Sequence, residues 1–146
     1  MDTSYEDWIA HLPSAVTADP MWRWEALRLA MWAGELAVRD ERRVRASSAH
    51  RKVAEQLVTA AGSIAANLSE GASRTSAPDR ARFVSYALGS AREAIAWYTQ
   101  CRHLFPEPIY QDRVACLHSI RRLLTATLRN LHAQTETDAR WKRKEG

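Results

Sequence analysis

The sequence predicts an all-α protein, an antiparallel up-down-up-down four-helix bundle with a short N-terminal helical arm. Two observations carry this. Gly and Pro number only 5 each in 146 residues while Ala, Leu, Arg and Glu abound, and no stretch alternates apolar and polar β-branched residues as a half-buried strand does. Four apolar-periodic segments of similar length are also separated by short polar breaks, which favours neighbouring helices of opposite direction. The length suits one domain that buries its core without disulfide or metal. The expected division is an arm over 1–19, the bundle over 20–136 and a basic tail over 137–146.

Ser4-Tyr5-Glu6-Asp7 reads as a capping-box start, and Tyr5, Trp8, Ile9 and Leu12 follow on one helical face until Pro13. So short a helix is marginal alone, so its aromatic face is expected to dock on the bundle or on a neighbouring subunit. Asp19-Pro20 supplies an N-cap and a first-turn proline for helix 1, which should run from Pro20 to the low forties. Two apolar stripes lie on it: Trp22, Ala26, Leu29, Ala33, Leu36 and Ala37 on one side, and Trp24, Leu27, Met31 and Val38 on the other. One core cannot cover both. The second stripe is therefore the expected oligomer interface, unless the arm folds back over it.

Helix 2 starts near Ser48, places Val53, Leu57, Ala60, Ala61, Ile64 and Leu68 on one side, and is expected to end with Gly71 as its C-cap. Ser76, with Asp79 three residues on, caps helix 3, whose inward set reads Phe83, Tyr86, Ala87, Ser90, Ala94, Trp97 and Cys101 before Pro106-Glu107-Pro108 breaks the chain. Helix 4 repeats Ile109, Cys116, Ile120, Leu123, Leu124, Thr127, Leu128 and Leu131. The run Arg140-Trp141-Lys142-Arg143-Lys144 is left over as a basic tail, read either as solvated and mobile or as folding against phosphate.

The 21 basic and 17 acidic residues give a net charge of +4, which favours anionic partners. Of the basic residues 18 are Arg and 3 Lys, read either as phosphate recognition by guanidinium forks or as codon bias. Positive charge is densest at Arg39, Arg42, Arg43, Arg45, Arg51 and Lys52, with a second group at Arg74, Arg80 and Arg82. These nine are the expected nucleic-acid contacts, made to phosphate because no base-reading module is present. The competing reading is a solvated arginine-rich surface.

The segment Ser63-Ile64-Ala65-Ala66-Asn67-Leu68-Ser69-Glu70-Gly71, followed by Arg74, closely resembles the S-I-P-x-N-I-A-E-G signature of the 23S rRNA intervening-sequence proteins, a bacterial four-helix-bundle family. A second stretch, Arg82 to Ser90 with Gly89 inside it and Glu93 after it, is similar to that family's helix 3 motif. Ala65 stands where many members carry proline, which should straighten helix 2 locally. The resemblance covers about Trp22 to Leu131. It implies a bundle that assembles into a ring, often a pentamer, and kinship with accessory proteins of diversity-generating retroelements, which are thought to bind nucleic acid and a reverse transcriptase through basic surfaces. Read physically, the small residues of both motifs let helix backbones approach closely. The pairs Asn67/Glu70 and Ser90/Glu93 share helix faces and could hold a loop or a subunit contact.

Catalysis is not expected. His11, His50, His103, His118 and His132 fall in separate segments without HxxxH, HExxH or Glu-x-x-His spacing, and neither a Walker-type loop nor a Gly-x-Ser-x-Gly elbow occurs. Cys101 and Cys116 lack CxxC spacing, so no metal and no cofactor is expected. With neither a basic-apolar leader nor a run of 18 apolar residues, the protein is expected to be soluble and cytoplasmic.

Overall fold

The computed structural model describes residues 3–145. The arm begins with α1 (Tyr5–Ala10), where Ser4 and Asp7 form the expected capping box, and continues through a one-turn α2 (Ser14–Thr17). Asp19 caps Pro20, but the cap opens a single 3-10 turn, Pro20–Arg23, which the extended backbone of Trp24 separates from α3 (Glu25–Arg45). Helix 1 thus starts five residues later than its proline suggests. The Arg28 guanidinium ties the turn back by donating to the Trp22 carbonyl at 2.6 Å.

A 3-10 turn, Ser48–His50, leads into α4 (Arg51–Ala72), and α5 (Ala77–Gln100) starts as expected with Ser76 accepting from the Asp79 amide at 3.3 Å. A third 3-10 turn, Arg102–Leu104, precedes α6, which runs over 39 residues, Glu107–Glu145. The basic tail expected beyond residue 136 is continuous with this helix. Helices adjacent in sequence pack side by side, and α6 closes the ring against α3, giving the antiparallel up-down-up-down order. The core is built from small side chains, Ala30, Ala37, Ala54, Ala61, Ala87, Ala91 and Ala94 among them, with Leu57, Ile64, Leu68, Leu117, Ile120 and Leu124 filling between them.

One inward assignment and most of the interface stripe change. Tyr86 is 53% exposed, and Tyr98 is the tyrosine that α5 buries. Leu27, assigned to an interface, is 3% exposed within the core, while Trp24 and Met31 are half-buried against it. The reason is that α3 touches both α4 and α6, so the two stripes read on it are flanks of one broad buried arc. A third side of α3 is covered by the arm: the ring centroid of Trp32 lies 5.9 Å from Tyr5 and 5.4 Å from Trp8, and Trp8 is 6.3 Å from Trp22. The arm therefore docks on its own bundle.

Gly71 is not a C-cap. It sits inside the last turn of α4, buried, and no described glycine has positive φ. A Cβ built there would fall 2.9 Å from the Phe83 Cβ, so the glycine lets α4 and α5 approach at their connection. At the other side of α4, Gly62 faces open space while its Cα lies 3.9 Å from the Cβ position of Gly34 on α3.

The one buried charged side chain among the described residues is Asp40 on α3. Its Oδ2 accepts from Tyr98 Oη of α5 at 2.9 Å and from Arg113 Nε of α6 at 2.7 Å, and its Oδ1 accepts from Arg113 Nη2 at 3.3 Å. Asp112 takes the Arg113 Nη1 at 2.8 Å.

Gly71→Ala should lower the unfolding free energy by about 1–3 kcal/mol through overpacking, whereas Gly62→Ala should raise it by about 0.5–1 kcal/mol by favouring the helical backbone; urea midpoints read both. Asp40→Asn removes the buried counter-charge of Arg113, leaving it only the exposed Asp112, and should cost about 3 kcal/mol in the same measurement.

Candidate nucleic-acid interface

The antiparallel order decides which basic residues meet. The last turns of α3 carry Arg39, Arg42, Arg43 and Arg45, and α4 opens with Arg51 and Lys52, so all six stand at one end of the bundle. Cations in the last turn of α3 also complement the partial negative charge of its C-terminus. Two of the six are neutralised. Arg39 pairs with Glu35 at 2.8 Å and lies 5.3 Å over the Trp32 ring, and Arg45 pairs with Glu41 and, at 3.8 Å, with Glu55. Arg42, Arg43, Arg51 and Lys52 are exposed and, among the described residues, have no ion-pair partner. The Arg43 guanidinium rests 5.8 Å over the Phe105 ring, a cation–π contact that steadies it without neutralising its charge.

Beside these residues a cleft of about 700 Å³ opens between the arm, α3 and the start of α6. Arg39, Arg42, Arg43 and Arg113 line it together with Tyr5, Trp32 and Ile109. Three carboxylates also face it: Asp40 and Asp112, both engaged with Arg113, and the exposed Glu6 of the arm. Burial works against charge on Arg113, and its bonds to Asp40 outweigh that, so its proton is held more firmly than usual. Burial and the adjoining Asp40 carboxylate push the Tyr98 hydroxyl up, so it stays a donor. At the α3–α4 connection the imidazole of His50 meets that of His103 at a tilt, with centroids 5.0 Å apart, and Ser47 Oγ meets His50 Nδ1 at 2.8 Å.

The second expected group lies elsewhere. Arg74, Arg80 and Arg82 flank the α4–α5 connection, separated from the first group by the length of α4, about 33 Å for its 22 residues. Each is engaged there. Arg74 pairs with Glu70 and lies 4.9 Å over Phe83; Arg82 pairs with Asp79 at 3.6 Å and lies 5.3 Å over the same ring; Arg80 Nε donates to the Arg74 carbonyl at 2.8 Å. These three arginines fasten a turn, and the nine expected contacts do not form one surface.

Among the motif residues, Ser63 Oγ donates to the Thr59 carbonyl and Asn67 Nδ2 to the Ser63 carbonyl, each at 2.8 Å within α4. Asn67 and Glu70 therefore do not act as a pair. Glu93 accepts from Trp97 Nε1 at 3.1 Å rather than engaging Ser90, and Gly89 has open space beside it. Both thiols are pushed up to about 11, chiefly by burial, leaving them protonated at neutral pH. No cluster of metal-ligating side chains occurs among the described residues, and no described helix is long and apolar enough to cross a membrane. Of the Trp24, Leu27, Met31 and Val38 stripe only Val38 is strongly exposed, at 59%. Sequence reasoning missed the Asp40–Tyr98–Arg113 cluster because its members are 58 and 73 residues from Asp40 and no local spacing joins them.

A crystal structure of a protein of unknown function from the S23 ribosomal protein family of Bacteroides thetaiotaomicron superposes with a TM-score of 0.66 at 17% sequence identity, covering 70% of this chain and 97% of the other. That likeness is one of fold. No curated protein matches the chain. The family model described as 23S rRNA-intervening sequence protein matches residues 33–126, which span most of α3, all of α4 and α5, and the packed half of α6. With more than half of its length so matched, the chain belongs to the 23S rRNA-intervening sequence protein family.

Proposed function

We propose that the protein is a non-enzymatic nucleic-acid-binding bundle that grips the phosphodiester backbone at the end where α3 hands over to α4. The observation that carries this reading is the gathering of Arg42, Arg43, Arg51 and Lys52, exposed and without ion pairs, beside a guanidinium-lined cleft. Unneutralised cations so placed raise the local potential, and phosphates that displace their counterions gain affinity in a salt-dependent way. The family is named for an intervening sequence of 23S rRNA, which supports RNA as the first polymer to test. In the fuller form of the proposal the bundle is a homo-oligomer, a pentameric ring, which repeats the patch around an axis and turns modest contacts into avidity. Its setting is then an rRNA element or a reverse transcriptase to which the ring is accessory.

The full chain should shift RNA or DNA at about 50 mM salt, and the Arg42→Gln/Arg43→Gln/Arg51→Gln/Lys52→Gln variant should lower the log–log salt slope on single strands by about 3. A native-gel titration in which neither polymer shifts overturns the reading.

A second reading, a protein-interaction scaffold, rests on Val38, which borders a groove of about 340 Å³ with Val58 and Thr59 on the α3–α4 face. If this face joins subunits or a partner, Val38→Asp should dissociate the assembly in light scattering with helicity unchanged; an unaltered mass at micromolar concentration removes the scaffold reading.

A further inference from the structure

The outer face of α6 carries a second set of cations that neither the family motif nor the basic end of the bundle includes. Arg121, Arg122 and Arg129 of α6 and Arg92 of α5 line one open groove of about 450 Å³, together with Thr125 and Ala126. Among the described residues none of the four arginines has a carboxylate partner, and the one side chain bonded to any of their guanidinium groups is His118, whose Nδ1 meets Arg121 Nη2 at 3.1 Å. Arg39, Arg45, Arg74, Arg82, Arg102 and Arg113 are ion-paired elsewhere, whereas in this groove four unpaired arginines converge from two helices and make a local excess of charge.

The excess continues along the helix. Arg122, Arg129, Arg140 and Lys144 follow one another at about two, three and one turns, so they line up on one face, with Arg143 beside them. This face is turned away from Leu117, Ile120 and Leu124, which α6 buries. Past Leu131, the last α6 residue packed against the core, α6 carries the line onward for about 21 Å. From Arg121 to Lys144 the stripe extends about 35 Å, over which one strand of a duplex carries about ten phosphates. One exposed acid, Glu136, interrupts it about two turns after Arg129.

We propose that this face of α6 is a phosphodiester track, on which a nucleic-acid strand lies lengthwise from the Arg92–Arg129 groove to the overhanging basic turns. An open groove continuous with a linear array suits a polymer passing through rather than a small anion held in a pocket. The net positive charge of this face opposes its pairing with its own copy. The track rests on the nucleic-acid reading above but not on the end patch that carries that reading.

Fluorescence anisotropy with the full chain and labelled 20-nucleotide RNA and DNA single strands, titrated over salt, separates the two. Arg121→Gln/Arg122→Gln/Arg129→Gln should weaken binding roughly tenfold or more at about 0.1 M salt and lower the salt slope by about 2. The corresponding lysine substitutions should restore the slope, and Glu136→Gln should tighten binding a few-fold. Circular dichroism checks that each variant keeps its helices. If the glutamine triple variant binds as the unaltered protein does while Arg42→Gln/Arg43→Gln binds weakly, the track is wrong and the end patch stands. If the unaltered protein binds neither polymer, both fall. A changed mass of the triple variant in light scattering, or competition by polyglutamate as effective per charge as by oligonucleotide, also overturns the track, the first in favour of a subunit contact and the second in favour of an acidic protein partner.

Discussion

Asp40 lies where α3, α5 and α6 converge, and its two oxygens take three hydrogen bonds from the other two helices. A buried carboxylate costs several kcal/mol of lost hydration, which an arginine and a tyrosine in good geometry offset only if all three helices hold one rotation and one height. The α3–α6 interface is the least extensive of the four around the bundle. Apolar packing alone would define the relative slide of those helices weakly, and the ion pair fixes it. The cleft beside the basic end inherits this rigidity, since Arg113 and Asp40 both line it.

Much of the fold was legible because its signals are local. Ser4 with Asp7 and Ser76 with Pro78 each mark a helix start by satisfying amide donors within a few residues, whereas Asp19 with Pro20 marks only the 3-10 turn that precedes α3. The apolar period of α4 marks its core face almost completely. What escaped depends on neighbours far along the chain. Gly71 near a helix end suggests a left-handed cap, and only the position of Phe83 reveals that it relieves a close approach instead. Tyr86 and Tyr98 lie about 120° apart around α5, so one core face takes only one of them; Tyr98 is in register with the buried Ala87, Ala91 and Ala94, and there it reaches Asp40. Leu27 resembles an interface residue until α3 is seen to be covered from more than one side.

The candidate site was legible as composition rather than as geometry. A count of arginines groups Arg74, Arg80 and Arg82 with Arg42 and Arg43, but the up-down topology sends the two groups to opposite ends and gives the first a job in closing a turn. Conversely, Arg92 is remote in sequence from Arg121, and their shared groove exists because α5 and α6 pack antiparallel. Which cations are free is a property of the fold: a carboxylate one turn away removes a charge from service, and four of the eight ion pairs among the described residues join side chains three or four positions apart.

The aromatic seal between arm and bundle has an optical consequence. Three of the six tryptophans, Trp8, Trp22 and Trp32, are clustered where α1 lies against α3. Indole emission depends on how dry its surroundings are, so release of the arm would redden and quench the fluorescence while the helical signal of the bundle persisted. The protein thus carries a built-in reporter that distinguishes opening of the cleft beside the arm from unfolding of the four helices.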